Sequence, residues 1–129
     1  MTRVAFIGLG NMGSGMSANQ LKAGREVVAF DLSADAMAKA KAAGMNAAAS
    51  AGEAVKDVDV VFTMLPAGQH VRELYEQAVL PNARKDALLI DCSTIDVDSA
   101  RTVARDASMQ GFRAADAPVS GGTAAASGG

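Results

Sequence analysis

The sequence is poor in the residues that usually anchor a core or a reactive site. It has no Trp, one Tyr, four Phe, one Cys and one His in 129 residues. A single cysteine, Cys92, excludes an internal disulfide and fits a reducing compartment. A single histidine, His70, excludes a His–His metal pair, and no ligand spacing appears elsewhere along the chain. Charge of one sign is also missing: 12 basic residues face 14 acidic ones, for a net charge of −2. That balance offers no basic patch to nucleic acid or to an anionic membrane surface. The opening apolar run, Val4–Ile7, is too short for a secretory core or a membrane span, and the repeated Arg and Ser of a mitochondrial transit peptide are absent. These absences lead us to expect a soluble, cytoplasmic protein without metal, membrane or nucleic-acid partners.

What the chain does have is small and flexible apolar residues. Half of it is hydrophobic, with seven Met and abundant Ala. Small side chains suit close helix-on-sheet packing, and Met fills irregular gaps. The length fits one domain over 1–129, with no internal linker or repeat. Apolar runs at Val4–Ile7, Val27–Phe30, Val58–Leu65 and Ala87–Ile90 read as buried strands, with weaker ones at 45–49 and Phe112–Ala115. Helices are expected over 11–23, 34–43, 50–56, 68–79 and from Asp96 or Asp98 to Met109, several closed by Gly24, Gly44 and Gly111. Ser33 or Asp35 is a candidate cap for the second, and Ser50 with Glu53 looks like a capping box. The strands are continuous apolar runs that alternate with helices. Both sheet faces are therefore covered, which predicts an α/β, doubly wound, mainly parallel sheet of Rossmann type.

Gly8-Leu9-Gly10-Asn11-Met12-Gly13 is a G-x-G-x-x-G run that follows a strand and opens a helix. In that setting the glycines allow a tight turn, close approach of a pyrophosphate and close helix–strand packing, while the helix N-terminus favours phosphate. A plain strand-to-helix turn is the alternative. Asp31 follows the second strand, 18 positions after Gly13. A carboxylate about 20 residues on is placed to accept hydrogen bonds from an adenosine ribose. It would repel a 2′-phosphate, and no Arg or Lys between 32 and 38 neutralises it, so NAD is expected over NADP. The alternative for Asp31 is a helix N-cap. By the rule that ligands sit beyond the carboxyl ends of parallel strands, Leu65 and Pro66 can wall the cofactor and Thr94 can bond a ribose. Ordinary strand-end turns explain them equally well. Cys92 has no neighbouring base in sequence, so it reads as a buried structural thiol. The acids and bases at 53–59 and 72–76 read as solvated helix faces.

Four segments together, Gly8–Gly13, Thr63-Met64-Leu65-Pro66, Ile90-Asp91-Cys92-Ser93-Thr94-Ile95-Asp96 and Asp116-Ala117-Pro118-Val119-Ser120-Gly121-Gly122, resemble the β-hydroxyacid dehydrogenase family in order and spacing. The stretch around Cys92 and the acid at Asp31 are most similar to its 3-hydroxyisobutyrate dehydrogenase branch. The resemblance implies NAD-dependent oxidation of 3-hydroxyisobutyrate to methylmalonate semialdehyde, as in valine catabolism. It implies cofactor contacts from Gly8, Leu9, Gly10, Asn11, Met12, Gly13, Asp31, Leu65, Pro66 and Thr94. His70 stands where the family often has Asn beside the nicotinamide half. Ser120, Gly121 and Gly122 match the segment that holds the substrate carboxylate, and a Ser-Gly-Gly turn can form an anion nest.

The family's catalytic lysine lies in a later G-x-x-x-K-x-x-N helix, beyond residue 129, so no catalytic residue is expected in this chain. By the same resemblance the helical substrate and dimerisation domain and the last strands of the first domain are expected to be missing, and the full-length protein to be a homo-oligomer. Gln20 stands where the family usually has Leu, on the stripe of Met12 and Met16. The open alternatives are a tartronate semialdehyde reductase or another β-hydroxyacid dehydrogenase, a non-catalytic NAD-binding module, and a gene remnant.

Overall fold

A computed structural model of the chain describes residues 2–117. The expected segment Ser120–Gly122 lies outside them. Among the described residues the chain forms a six-stranded sheet in the order β3-β2-β1-β4-β5-β6. The strands are β1 (Arg3–Ile7), β2 (Glu26–Phe30), β3 (Asn46–Ala47), β4 (Val60–Thr63), β5 (Leu88–Asp91) and β6 (Arg113–Asp116). Every neighbouring pair runs parallel. The chain starts in the middle, winds outward through β2 and β3, then crosses back to β4 and winds the other way. The reversal lies between β1 and β4, and it opens a crevice beyond their carboxyl ends.

The pleat of β1 explains the two covered faces, because successive side chains point to opposite sides. Val4 and Phe6 enter one core with Val27, Ala29, Ala40 and Met45, packed by Met16, Leu21 and Met37. Those last residues come from α1 (Asn11–Lys22) and α2 (Ala34–Ala42). Ala5 and Ile7 enter the other core with Val61, Leu89, Val71, Tyr75, Val79 and Val103. Helices α3 (Ala51–Ala54), α4 (Gly68–Leu74) and α6 (Val97–Met109) cover that face. With little aromatic mass available, the Phe6 and Phe62 rings stack at 5.6 Å and 19° under α1 and α2.

Local chemistry fixes the helix ends. Ser33 caps α2 by accepting the Ala36 N–H at 3.3 Å, which leaves neither Asp35 nor Asp31 as the cap. Ser50 accepts the Glu53 N–H at 3.1 Å, and Asp96 accepts the Ser99 N–H at 2.9 Å, so Asp96 rather than Asp98 opens α6. The helix expected over 68–79 does not stop there. After α4 it widens into a π-helical turn at Tyr75–Val79 and closes with α5 (Leu80–Asn82). Pro81 has no N–H to give and crowds the carbonyl four residues back. The wide turn just before it carries the chain past that point.

The strands are shorter than the apolar runs. The run 58–65 yields only Val60–Thr63, because Val58 is spent on the core before the ladder starts and Leu65 leaves its backbone partner after it. The edge strand β3 is two residues long, since Met45 turns into the core beside it. Gln20 is half-buried, and its side-chain oxygen accepts from Arg25 at 3.1 Å. At the amino ends of the strands, Asp59 ties several segments together. It accepts the Arg3 backbone N–H at 2.9 Å and pairs with Arg84 at 2.8 Å.

Candidate cofactor site

The crevice predicted by the strand order is present as a cleft of about 810 Å³. The glycine turn forms its floor. Gly8 has φ +90°, and a Cβ there would strike the Met64 carbonyl; a Cβ on Gly13 would strike the Gly8 carbonyl. These two close approaches press α1 against the strand ends. Gly10, by contrast, faces open space, with no atom within 4 Å of a notional Cβ. It stands at the N-terminus of α1, which no side chain caps, whereas α2, α3 and α6 are all capped by side chains. Orphan N–H groups at an open helix N-terminus suit a phosphate.

Asp31 closes one side. Its Oδ2 accepts the Leu9 N–H at 2.7 Å and its Oδ1 accepts the Ser33 N–H at 2.8 Å. The carboxylate therefore faces the glycine turn from the end of β2. The Gly8 N–H donates to the Phe30 carbonyl at 2.9 Å, so β2 grips the turn at two successive amides. Leu32 follows with 94% of its surface exposed, an apolar side chain on the rim of the cleft.

The opposite wall comes from the loop after β4 and from the long helix. Leu65, Pro66 and His70 line the cleft, together with Leu74, Gln77 and Ala78. The loop is held from beneath by a buried polar network. The Leu65 N–H donates to Ser93 Oγ at 2.7 Å, and Ser93 Oγ donates to Asp91 Oδ1 at 2.7 Å. Thr63 Oγ1 donates to the same oxygen at 2.8 Å. Burial raises the Asp91 pKa against the lowering effect of these donors. The neighbouring Cys92 thiol is pushed up to about 11 by burial and then by the Asp91 and Asp116 charges. It is a packed thiol, not a thiolate. Asp96, at the head of α6, has its pKa lowered by the Ser99 N–H.

Most of the residues singled out in the sequence meet here. Gly8, Leu9, Gly10, Met12, Gly13, Asp31, Leu65, Pro66 and His70 all line one cleft. Leu9 does so through its backbone, because its side chain is buried in the core under α1. Asn11 is the first residue of α1. Thr94 is exposed after β5 and is not among the residues lining the cleft. Phe30, Leu32, Leu74 and Gln77 were not foreseen. For Leu32 the only sequence signal is its place after Asp31; for the helix residues there is none without the fold.

Residues 3–129 match the family described as the NAD binding domain of 6-phosphogluconate dehydrogenase. The chain belongs to this NAD-binding family. Within it, the chain is 48% identical over 128 residues to a 3-hydroxyisobutyrate dehydrogenase of Pseudomonas aeruginosa, covering 98% of this chain and 43% of that protein. An NAD-dependent L-serine dehydrogenase of the same organism is 47% identical over 131 residues and is covered to 44%. Among solved structures, the 3-hydroxyisobutyrate dehydrogenase of Mycobacterium tuberculosis with L-serine superposes with a TM-score of 0.96 at 49% identity, covering 99% of this chain and 44% of that one. The chain thus spans less than half the length of these relatives. For an NAD-binding domain, the glycine turn, the uncapped α1 and the carboxylate at Asp31 are a fitting donor and acceptor set.

Proposed function

We propose that this chain is the cofactor-binding domain of an NAD-dependent dehydrogenase that oxidises 3-hydroxyisobutyrate to methylmalonate semialdehyde. The observation that carries this reading is the cleft at the strand reversal, where Asp31 faces the glycine turn. Resemblance to a 3-hydroxyisobutyrate dehydrogenase over nearly the whole chain supports the substrate. Bound NAD supplies a hydride acceptor. In this reading the residues of this chain bind and orient it: the first turn of α1 takes the pyrophosphate, Asp31 the adenosine ribose, and Leu65, Pro66 and His70 the opposite wall. Thr94 and Ser120–Gly122 belong to the reactive end of the same reading. In the same reading a catalytic lysine and a helical substrate domain would come from the part of the protein that follows residue 129.

A second reading, oxidation of L-serine, is favoured by the L-serine dehydrogenase among the relatives. The two substrates share a carboxylate and a primary alcohol one carbon apart, and differ in a methyl or an ammonium on the carbon between. Reduction of tartronate semialdehyde is the same chemistry reversed on a related acid. The reading from another class is a non-catalytic NAD-binding module.

Three observations test the proposal. NAD and NADP are titrated into residues 1–129, and the expected result is that NAD binds more tightly. The intact protein is then assayed for NADH formation with 3-hydroxyisobutyrate and with L-serine. Preference for L-serine would replace the substrate assignment. Tighter binding of NADP would remove the role given to Asp31. An in-frame Gly-x-x-x-Lys-x-x-Asn segment downstream of codon 129 supports a dehydrogenase, and its absence supports the module.

A further inference from the structure

We infer that Asp31 holds the glycine turn in its phosphate-binding shape, so that ribose and phosphate recognition pass through one carboxylate. The inference rests on the NAD reading for the identity of the ligand, but its structural half stands on two hydrogen bonds. Leu9 sits between Gly8 at φ +90° and Gly10 at φ +29°. A stretch of backbone that enters the left-handed region twice has little local preference for one shape. What fixes it is β2. The Gly8 N–H reaches the Phe30 carbonyl at 2.9 Å, and the next amide, Leu9 N–H, reaches Asp31 Oδ2 at 2.7 Å. The second bond continues the ladder with a side chain where the backbone has diverged. It is short and charge-assisted, which makes it stronger than a neutral one. The other oxygen is anchored by Ser33 N–H at 2.8 Å, so the carboxylate cannot turn away freely.

Each carboxylate oxygen keeps a further lone pair for a ribose hydroxyl. The Leu9 N–H, however, is spent. The phosphates are left to the uncapped first turn of α1, whose position depends on the turn that Asp31 holds. The electrostatics make the inference sharp. A carboxylate beside a phosphate site repels the phosphate, so deleting it should by itself tighten anion binding. A loss of phosphate affinity on deletion can then come only from the turn.

The test uses ADP and 2′,3′-dideoxy-ADP, which keeps the phosphates but lacks both ribose hydroxyls. Both are titrated into the 129-residue chain and its Asp31→Ala and Asp31→Asn variants, with exchange of the Leu9 amide followed by NMR. We expect Asp31→Ala to weaken dideoxy-ADP about tenfold, the scale of one hydrogen bond to a charged group. The Leu9 amide should lose protection, and Asp31→Asn, which keeps one acceptor, should fall between. Equal or tighter binding of dideoxy-ADP by Asp31→Ala, with an unchanged Leu9 amide, would overturn the inference. If the unsubstituted chain binds neither nucleotide nor NAD, the cofactor reading fails. Leu9 exchange then decides the turn alone: faster exchange in the variants keeps it, and no change removes it. Should Asp31→Ala not fold, the near-isosteric Asp31→Asn carries the same comparison.

Discussion

The hydroxyl of Thr63 donates to the carboxylate of Asp91 at 2.8 Å, with both side chains buried. The two residues are paired in register at the ends of β4 and β5. Ser93 completes the group and passes it on to the Leu65 N–H in the cleft wall. Asp91→Ala would leave two buried hydroxyls without their acceptor, at about 1–3 kcal/mol each. We expect a loss of about 3 kcal/mol in urea unfolding, and a smaller loss for Asp91→Asn. A change under about 0.5 kcal/mol for the alanine variant, the range of an ordinary surface substitution, would contradict this.

The same carboxyl predicts a pH dependence. Burial raises its folded pKa above the ordinary 3.8. Between those two values the unfolded chain is ionised while the folded one keeps its proton, so stability falls as pH rises through this window. Wild type should therefore lose stability relative to Asp91→Asn as pH climbs from about 3.8 through the raised value. A difference between the two proteins that stays flat from about pH 3 to about pH 7 would show that the shift is absent.

Asp59 has the opposite sign. The Arg3 N–H and then Arg84 hold its pKa below 3.8. Its contribution is present above that value and is lost as pH falls through the lowered one. Replacing it with Asn should flatten the acid limb of the stability curve. Because Asp59 lies at the amino ends of the strands, NAD affinity should not move. Calorimetry on the variant at neutral pH checks the second half of this.

In the proposed reading, cofactor choice turns on the carboxylate of Asp31 and on the position of Leu32 after it. The unsubstituted chain should bind NAD at least tenfold tighter than NADP, about 1.4 kcal/mol. Asp31→Ala combined with Leu32→Arg should reverse the ratio while weakening both dinucleotides, since the turn loses its anchor. Paired titrations read both quantities, and a reversed ratio with undiminished affinity would argue against the anchoring role.

Gly10 and Gly13 should fail differently. A side chain on Gly10 is strained at φ +29° but meets no neighbour, so Gly10→Val should keep near-normal far-UV circular dichroism and lose NAD binding. Gly13→Ala drives a methyl into the Gly8 carbonyl, so it should lower stability as well. Overpacking of this kind costs about 1–3 kcal/mol. Melting of Gly13→Ala that matches the unsubstituted chain would show that the α1 contact is softer than its geometry implies.

The parts of this fold that were legible in the sequence are those written within a few residues. Val4–Ile7 followed by Gly8–Gly13 announces strand, turn and helix at once. Asp31 reads correctly as a cleft residue because the spacing from Gly13 measures the remainder of α1 plus β2. Long-range pairings were not legible. Thr63 and Asp91 are 28 residues apart, and nothing near either one says that the other is its partner. The Leu9–Asp31 bond spans 22 residues and involves a backbone donor, which leaves no trace in residue identity. The helix expected over 68–79 runs on past Pro81 through a π-helical turn, an irregularity that no local residue pattern announces. Family likeness alone put His70 beside the nicotinamide half; the fold places it, exposed, among the residues that line the cleft.

The π-helical turn at Tyr75–Val79 makes the chain unusually forgiving of a change in length at one place. A π turn closes its hydrogen bonds one residue later than an α turn, so it behaves as an α-helix with one residue looped in. Val71 below it and Leu80 above it already face the core across that extra residue. Removing the exposed Glu76 should let the turn close as ordinary α-helix without rotating either flank. The same deletion in α6, at Arg105 for instance, has no slack to absorb it and would turn Ala107 and the residues after it by about 100°. Thermal melts of the two deletions should differ plainly, with the loss at Glu76 the milder.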